Sequence, residues 1–178
     1  MTPQARVLLW AVATAAVVVV GFGVFVVVRA NRPADPGPGA GRKNRTPVAG
    51  FGQIAFGVDT GGSTPRCALL AETEAQQELG LMNRRDLAGY DGMLFRFSAD
   101  TTVAFYMKDT PLPLSIAWFD SGGGYVSSTD MEPCLDAPQC PTYAAARPYR
   151  FALEVPKGGL AGFGIGAGSH LVVGGSCA

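Results

Sequence analysis

Residues 92–128 read GMLFRFSADTTVAFYMKDTPLPLSIAWFDSGGGYVSS. Three apolar or alternating runs stand in this stretch, Gly92 to Phe97, Thr102 to Lys108 and Leu114 to Asp120, divided by Ser, Asp, Thr and Pro. Runs this short, rich in aromatic and branched side chains and bounded by turn formers, are the signature of β-strands. Asp120-Ser-Gly-Gly-Gly then leads straight into Gly124 to Ser128, a hairpin signal. Outward from this block lie three more runs of the same kind: Arg66 to Ala71 (RCALLA), Tyr149 to Val155 (YRFALEV) and Ser169 to Val173 (SHLVV). One helix interrupts them. Thr73 is placed to cap it, Glu74 to Leu81 (EAQQELGL) is built of helix formers, and Gly80 lies near its end. The expectation is a mainly β, β-rich α+β domain over residues 51–178: a compact antiparallel barrel or sandwich with one or two short helices.

Composition divides the chain differently. The 14 basic and 14 acidic residues of the 178 cancel. Residues 1–45, however, hold six bases (Arg6, Arg29, Arg32, Arg42, Lys43, Arg45) and one acid (Asp35), a net +5, and the other 133 hold eight bases and 13 acids, a net −5. A charged fraction of 16% with 24 glycines excludes a coiled coil and a charged disordered chain. Within the basic part, Val7 to Val28 (VLLWAVATAAVVVVGFGVFVVV) carries no charge. As a helix at ~1.5 Å per residue it reaches about 33 Å, enough for the ~30 Å hydrocarbon core of a bilayer. It is longer than the apolar stretch of a cleaved signal peptide, and Val28-Arg29-Ala30 is a poor cleavage site. Residues 1–6 are then an N-terminal tail, 7–28 a single transmembrane helix, and 29–50, with its prolines and glycines, a disordered tether. The tether's basic residues lack interleaved aromatics, so no nucleic-acid partner is expected.

Orientation turns on two opposing signals. The bases after the span favour a cytoplasmic C-terminal domain by the positive-inside rule. The cysteines favour export. Cys134 and Cys140 flank a short segment among Pro133, Pro138 and Pro141, suited to a disulfide-closed loop; Cys67 opens the domain and Cys177 nearly ends it. We weigh the even set of four cysteines above the charge count and expect Cys134–Cys140 and Cys67–Cys177 bridges in an extracytoplasmic domain at the cell membrane. Metal ligation is disfavoured by the lone histidine, His170, and the lack of a second close cysteine pair. No cofactor is expected.

A succession of motifs carries a family resemblance. Gly80-Leu81-Met82 with Arg84 or Arg85 is followed by Gly92-Met93-Leu94-Phe95, then by Phe105-Tyr106-Met107-Lys108-Asp109-Thr110 with Pro113-Leu114. Pro133-Cys134 to Cys140-Pro141 with Tyr143 comes next, and Leu153-Glu154-Val155 before Gly158 closes the series. From Cys67 to Val173 the chain resembles the family called domain of unknown function 192. The resemblance implies a small β-rich, barrel-like domain, often preceded by a signal or anchor, and no established activity. The family pattern has Trp, Asn and Asp where this chain has Tyr106, Asp109 and Ser115.

Candidate site residues follow from chemistry. Met107 to Pro113 leaves a strand into a proline-braced loop, where Lys108 offers a cation, Asp109 a base or acceptor and Thr110 a hydroxyl. The plainer reading makes them solvated turn residues. Arg84 and Arg85 follow the helix and could meet an anion or serve its C-terminal end; Tyr143 joins the set through its place in the family motif. Glu154 within an apolar strand and Asp91 before Gly92 need a partner such as Arg96 or Arg150 if buried. Met82, Met93 and Met107 read as core packing, His170 as structural, and the glycines of 162–168 as turns, because no strand–turn–helix context for a dinucleotide surrounds them. The best reading is a membrane-anchored domain that binds a small molecule, glycan or envelope protein near Arg84, Arg85, Lys108, Asp109, Thr110 and Tyr143. An enzyme using Asp109 or Glu154 as acid or base with Lys108 or Arg85, and a structural envelope protein without a pocket, are the alternatives.

Overall fold

The computed structural model describes residues 44–59 and 65–177, and the strand pairs Val18–Val19 and Val24–Phe25. The chain divides into two units, Met1–Gly41 and Arg42–Ala178. In the first, Val18–Val19 pairs antiparallel with Val24–Phe25. The transmembrane helix expected over 7–28, and the tether up to residue 43, otherwise lie outside the described residues. Among the described residues no helix is long and apolar enough to cross a membrane.

The second unit is mainly β, a curled half-barrel. Its strands are β1 (Gly52–Val58), β2 (Arg66–Ala71), β3 (Gly92–Thr101), β4 (Phe105–Tyr106), β5 (Leu114–Phe119), β6 (Tyr125–Met131), β7 (Thr142–Tyr143), β8 (Tyr149–Pro156) and β9 (Leu171–Val173). Helix α1 (Glu74–Leu79) and a 3-10 turn (Ala161–Phe163) complete it. Seven strands form one sheet in the order β9-β1-β2-β3-β8-β5-β6, and β4 pairs with β7 in a separate ladder. The two edges of the large sheet meet at one corner, where Tyr125 N–H donates to Ser169 O at 3.1 Å and Leu171 N–H to Gly123 O at 2.8 Å. That contact curls the sheet without closing a full barrel.

Two features differ from the antiparallel expectation. β2 and β3 are parallel, in register Ala68↔Gly92 to Ala71↔Phe95. A parallel neighbour requires a crossover, and the helix-bearing segment between Ala71 and Gly92 supplies it. There is also one large sheet, with the small β4–β7 ladder beside it, rather than two large packed sheets. The expected strand over 102–108 contracts to Phe105–Tyr106, while β3 runs on through exposed Ser98, Ala99 and Asp100 to Thr101. β1 is an addition whose signal is the alternation Ile54, Phe56, Val58, all buried. Residues 44–50, read as tether, belong to this unit: Thr46 N–H donates to Ala88 O at 3.0 Å and the Gln76 side chain donates to Gly50 O at 2.6 Å.

Both faces of the sheet are covered. One carries Leu69, Met93, Phe95, Ile116 and Trp118 beneath Leu81, Tyr90 and Met107. The other carries Phe56, Leu70, Leu94, Phe119 and Leu153 against Ile165 and Phe163. Central strands buried on both faces read as unbroken apolar runs, which is why Leu114–Phe119 is buried at every residue. At the hairpin, the Asp120 carboxylate accepts the N–H groups of Gly122 at 3.0 Å and Gly124 at 2.8 Å, fixing the turn anticipated from the glycines.

The disulfides join Cys67 to Cys177 and Cys134 to Cys140. Cys67–Cys177 spans 110 residues and Cys134–Cys140 spans six. Chain-entropy arguments assign the long loop about 4–5 kcal/mol and the short one about 2 kcal/mol. Replacing Cys67 and Cys177 together by Ala is therefore expected to lower unfolding stability about twice as much as replacing Cys134 and Cys140, measured by guanidinium titration. Thr73→Ala, which removes a complete capping box with Gln76, should cost about 1 kcal/mol in the same assay.

Candidate functional site

The covered face of the sheet that carries Met93 and Ile116 is not filled everywhere. A cavity of ≈ 570 Å³ opens between the sheet, the end of α1 and the segment from Val103 to Thr110. Its shape follows from local structure. The Thr73 side chain accepts Gln76 N–H and the Gln76 side chain accepts Thr73 N–H, which starts α1. Gly80 ends the helix at φ +46, a conformation that favours glycine, and turns Leu81 and Met82 back over the sheet. A Cβ on Gly80 would lie 3.5 Å from the Phe95 ring, so the helix end and that wall of the cavity are in contact. Phe105 stands edge-on to Phe95 with ring centroids 5.0 Å apart.

Glu154 lies at the base. β8 is paired on both sides, and the residues opposite Glu154 are Met93 on β3 and Ile116 on β5, both fully buried. Gly92 lets β3 approach: a Cβ there would sit 2.3 Å from the Glu154 carbonyl oxygen. The Glu154 side chain is 4% exposed, lines the cavity, and has no hydrogen-bond or ion-pair partner among the described residues. Burial pushes its carboxyl up to about 8, so it carries a proton at neutral pH. Thr110, also 4% exposed, joins it in the lining, its hydroxyl donating to Lys108 O at 3.2 Å.

The sequence-derived candidates are distributed as follows. Thr110 lines the cavity; Arg84, Arg85, Lys108, Asp109 and Tyr143 do not. Lys108 is exposed. Asp109 adopts φ +53, its N–H donates to Cys134 O at 2.9 Å and its carbonyl accepts from Asn83 N–H at 2.7 Å, so its backbone ties two loops. Arg84 lies 3.7 Å from Asp86, and Arg85 is exposed. The Tyr143 hydroxyl accepts Glu132 N–H at 3.2 Å. Of the two acids flagged for burial, Asp91 accepts Cys67 N–H at 3.0 Å and Glu154 faces the cavity. Arg96 and Arg150 serve neither; they pair with Glu72 and, at 2.9 Å, with Asp100.

Sequence reading did not assign the aromatic wall of Phe95, Phe97, Phe105 and Tyr106, or the acids Glu72, Glu74, Glu78 and Asp100 of the lining. Glu74 and Glu78, one helical turn apart on α1, were the available signal for an acidic rim.

No curated protein matches the chain significantly. Two solved structures are similar. One is a protein from Sinorhizobium meliloti 1021, named provisionally as a transcription regulator: 26% identity, TM-score 0.59, over 69% of this chain and 95% of that one. The other is a protein of unknown function from Novosphingobium aromaticivorans: 26% identity, TM-score 0.58, over 72% of this chain and 90% of that one. The family model of DUF192, described as "Uncharacterized ACR", matches residues 58–173, a span that holds β2 to β9, both faces of the sheet and the cavity, and the chain belongs to that family.

Proposed function

We propose that the domain is a small-molecule-binding module, tethered to the cell membrane through Val7 to Val28 and held outside the cytoplasm, with its ligand in the cavity over Glu154. The observation that carries this reading is the Glu154 carboxyl, without a partner among the described residues, at the base of a cavity walled by Phe95, Phe105 and Met107. Ligand sites combine an apolar concave lining of roughly 300–1,000 Å³ with a few convergent polar groups, and Glu154 with Thr110 has that form. A purely structural role would be served better by an apolar residue, since burying an ionisable group weakens the fold. Catalysis by an acid and a cation finds less support, because neither Lys108 nor Arg85 lines the cavity. The apolar span supports the anchor, and two disulfides in a domain of this size suit an oxidising compartment.

If Glu154 is retained for binding, it should cost stability at neutral pH. Its folded-state value of about 8 lies above the ordinary 4.5, so the folded state holds a proton that the unfolded state releases between those values. The favourable contribution is complete below the lower value and is lost, at up to about 1.4 kcal/mol per pH unit, as pH rises toward 8. Glu154→Gln is expected to flatten this decline and to be more stable than the native chain at pH 8 by thermal or urea unfolding. An unchanged pH slope in the variant would overturn the placement of the carboxyl.

Location is tested by labelling intact cells with a membrane-impermeant maleimide. Reaction only after addition of a reductant is expected; reaction without it, or only after lysis, would place the domain elsewhere.

A further inference from the structure

The cavity has a definite electrostatic sign. Facing it with Glu154 on β8 are Glu72, Glu74 and Glu78 from the helix segment, Asp100 from the end of β3 and Tyr106 from β4. No lysine, arginine or histidine lines it among the described residues. The arginines of β3 and β8, Arg96 and Arg150, are engaged with Glu72 and Asp100. That leaves the exposed Glu74 and Glu78 to set the potential at the mouth, and Glu154 to offer an ionisable carboxyl at the base.

Three ligand classes can be compared on this lining. An anion would pass the like charges of Glu74 and Glu78 and find no cationic side chain in the lining among the described residues. A neutral apolar molecule would gain contact with the aromatic rings but leave the Glu154 carboxyl buried without a partner. A cation on an apolar body meets both demands. Its charge pairs with the acid at the base, and its hydrocarbon part lies on the rings, whose faces also attract positive charge.

We propose that the cavity binds a small organic ammonium ion, an alkyl or arylalkyl amine in its cationic form, with the ammonium at Glu154 and the hydrocarbon body against Phe95, Phe105 and Met107. This deepens the reading of the cavity as a ligand site and rests on it. Binding exchanges one cation for another: the Glu154 carboxyl releases its proton to solvent and the ammonium takes a place beside the carboxylate. The empty cavity keeps that proton up to a pH of about 8, so affinity for the ammonium rises with pH below that point.

Phenethylammonium is the probe, with 2-phenylethanol as its neutral and 3-phenylpropanoate as its anionic counterpart. Each is titrated into the full chain in non-ionic detergent by calorimetry at pH 6, 7 and 8. The ammonium is expected to bind about tenfold or more tighter than the alcohol, as one charge-assisted contact provides, with the carboxylate weakest. Its Kd should fall by up to about tenfold from pH 6 to 7, with release of about one proton. Glu154→Gln should abolish both the preference and the pH dependence. Glu74→Gln with Glu78→Gln, on the exposed side of α1, should weaken the ammonium alone by about two- to threefold, less so at high salt. An alcohol or carboxylate that binds as tightly as the ammonium overturns the cation assignment while leaving the ligand site standing. So does an ammonium preference that survives in folded Glu154→Gln, or an unchanged preference in the rim variant should Glu154→Gln not fold. Failure of all three probes to bind overturns the site itself.

Discussion

β8 is hydrogen-bonded to β3 on one side and β5 on the other, and the sheet these strands form is apolar on both faces. Everything else in the unit answers the need to cover those faces with one modest chain. The 3-10 turn brings Phe163 and Ile165 to one face. The segment after α1 (Leu81, Leu87, Tyr90), the 103–110 segment and the Cys134–Cys140 loop cover the other. A single helix of six residues cannot span that second face, so the cover is assembled from loops, and the cavity lies where the loops leave the sheet open. The cavity is thus a product of the architecture, and its chemistry is set by which residue of β8 points into it.

Much of this was legible. Thr73, Gln76 and Gly80 announce a short helix because capping is local chemistry. Asp120 and its glycines announce a hairpin for the same reason. β1 was not recognised because Ala55 and Gly57 dilute its alternation, and only Ile54, Phe56 and Val58 reveal it. The parallel β2–β3 pair was hidden because short apolar strands look alike in either direction, and direction is decided by the length of the connection. The site divides along the same line. A glutamate inside YRFALEV is visible as an anomaly in the sequence. That Phe95, Met107 and Thr110 stand around it depends on contacts between distant segments, which no local pattern encodes.

The positions where this chain departs from the family pattern sit in informative places. Tyr106 lines the cavity, with an aromatic face where the family has tryptophan. Asp109 occupies φ +53, a region that asparagine and aspartate tolerate better than most residues, and its backbone does the bracing. Ser115 is buried, donates to Asp130 and accepts Gly158 N–H at 2.8 Å. Ser115 thereby joins Asp130, its register partner on the neighbouring strand, to the loop at Gly158.

The small disulfide and the cavity are mechanically linked. Cys134 bridges in backbone register to both Lys108 and Thr110, and its carbonyl accepts Asp109 N–H. Lys108 and Asp109, which attract notice in the sequence as charged loop residues, thus hold the wall through their main chains, and Thr110 is the residue that this wall presents inward. Cys140 closes a six-residue loop back onto Cys134. The disulfide thus braces the wall that presents Thr110 to the cavity, and it belongs to the site as much as to the stability of the fold.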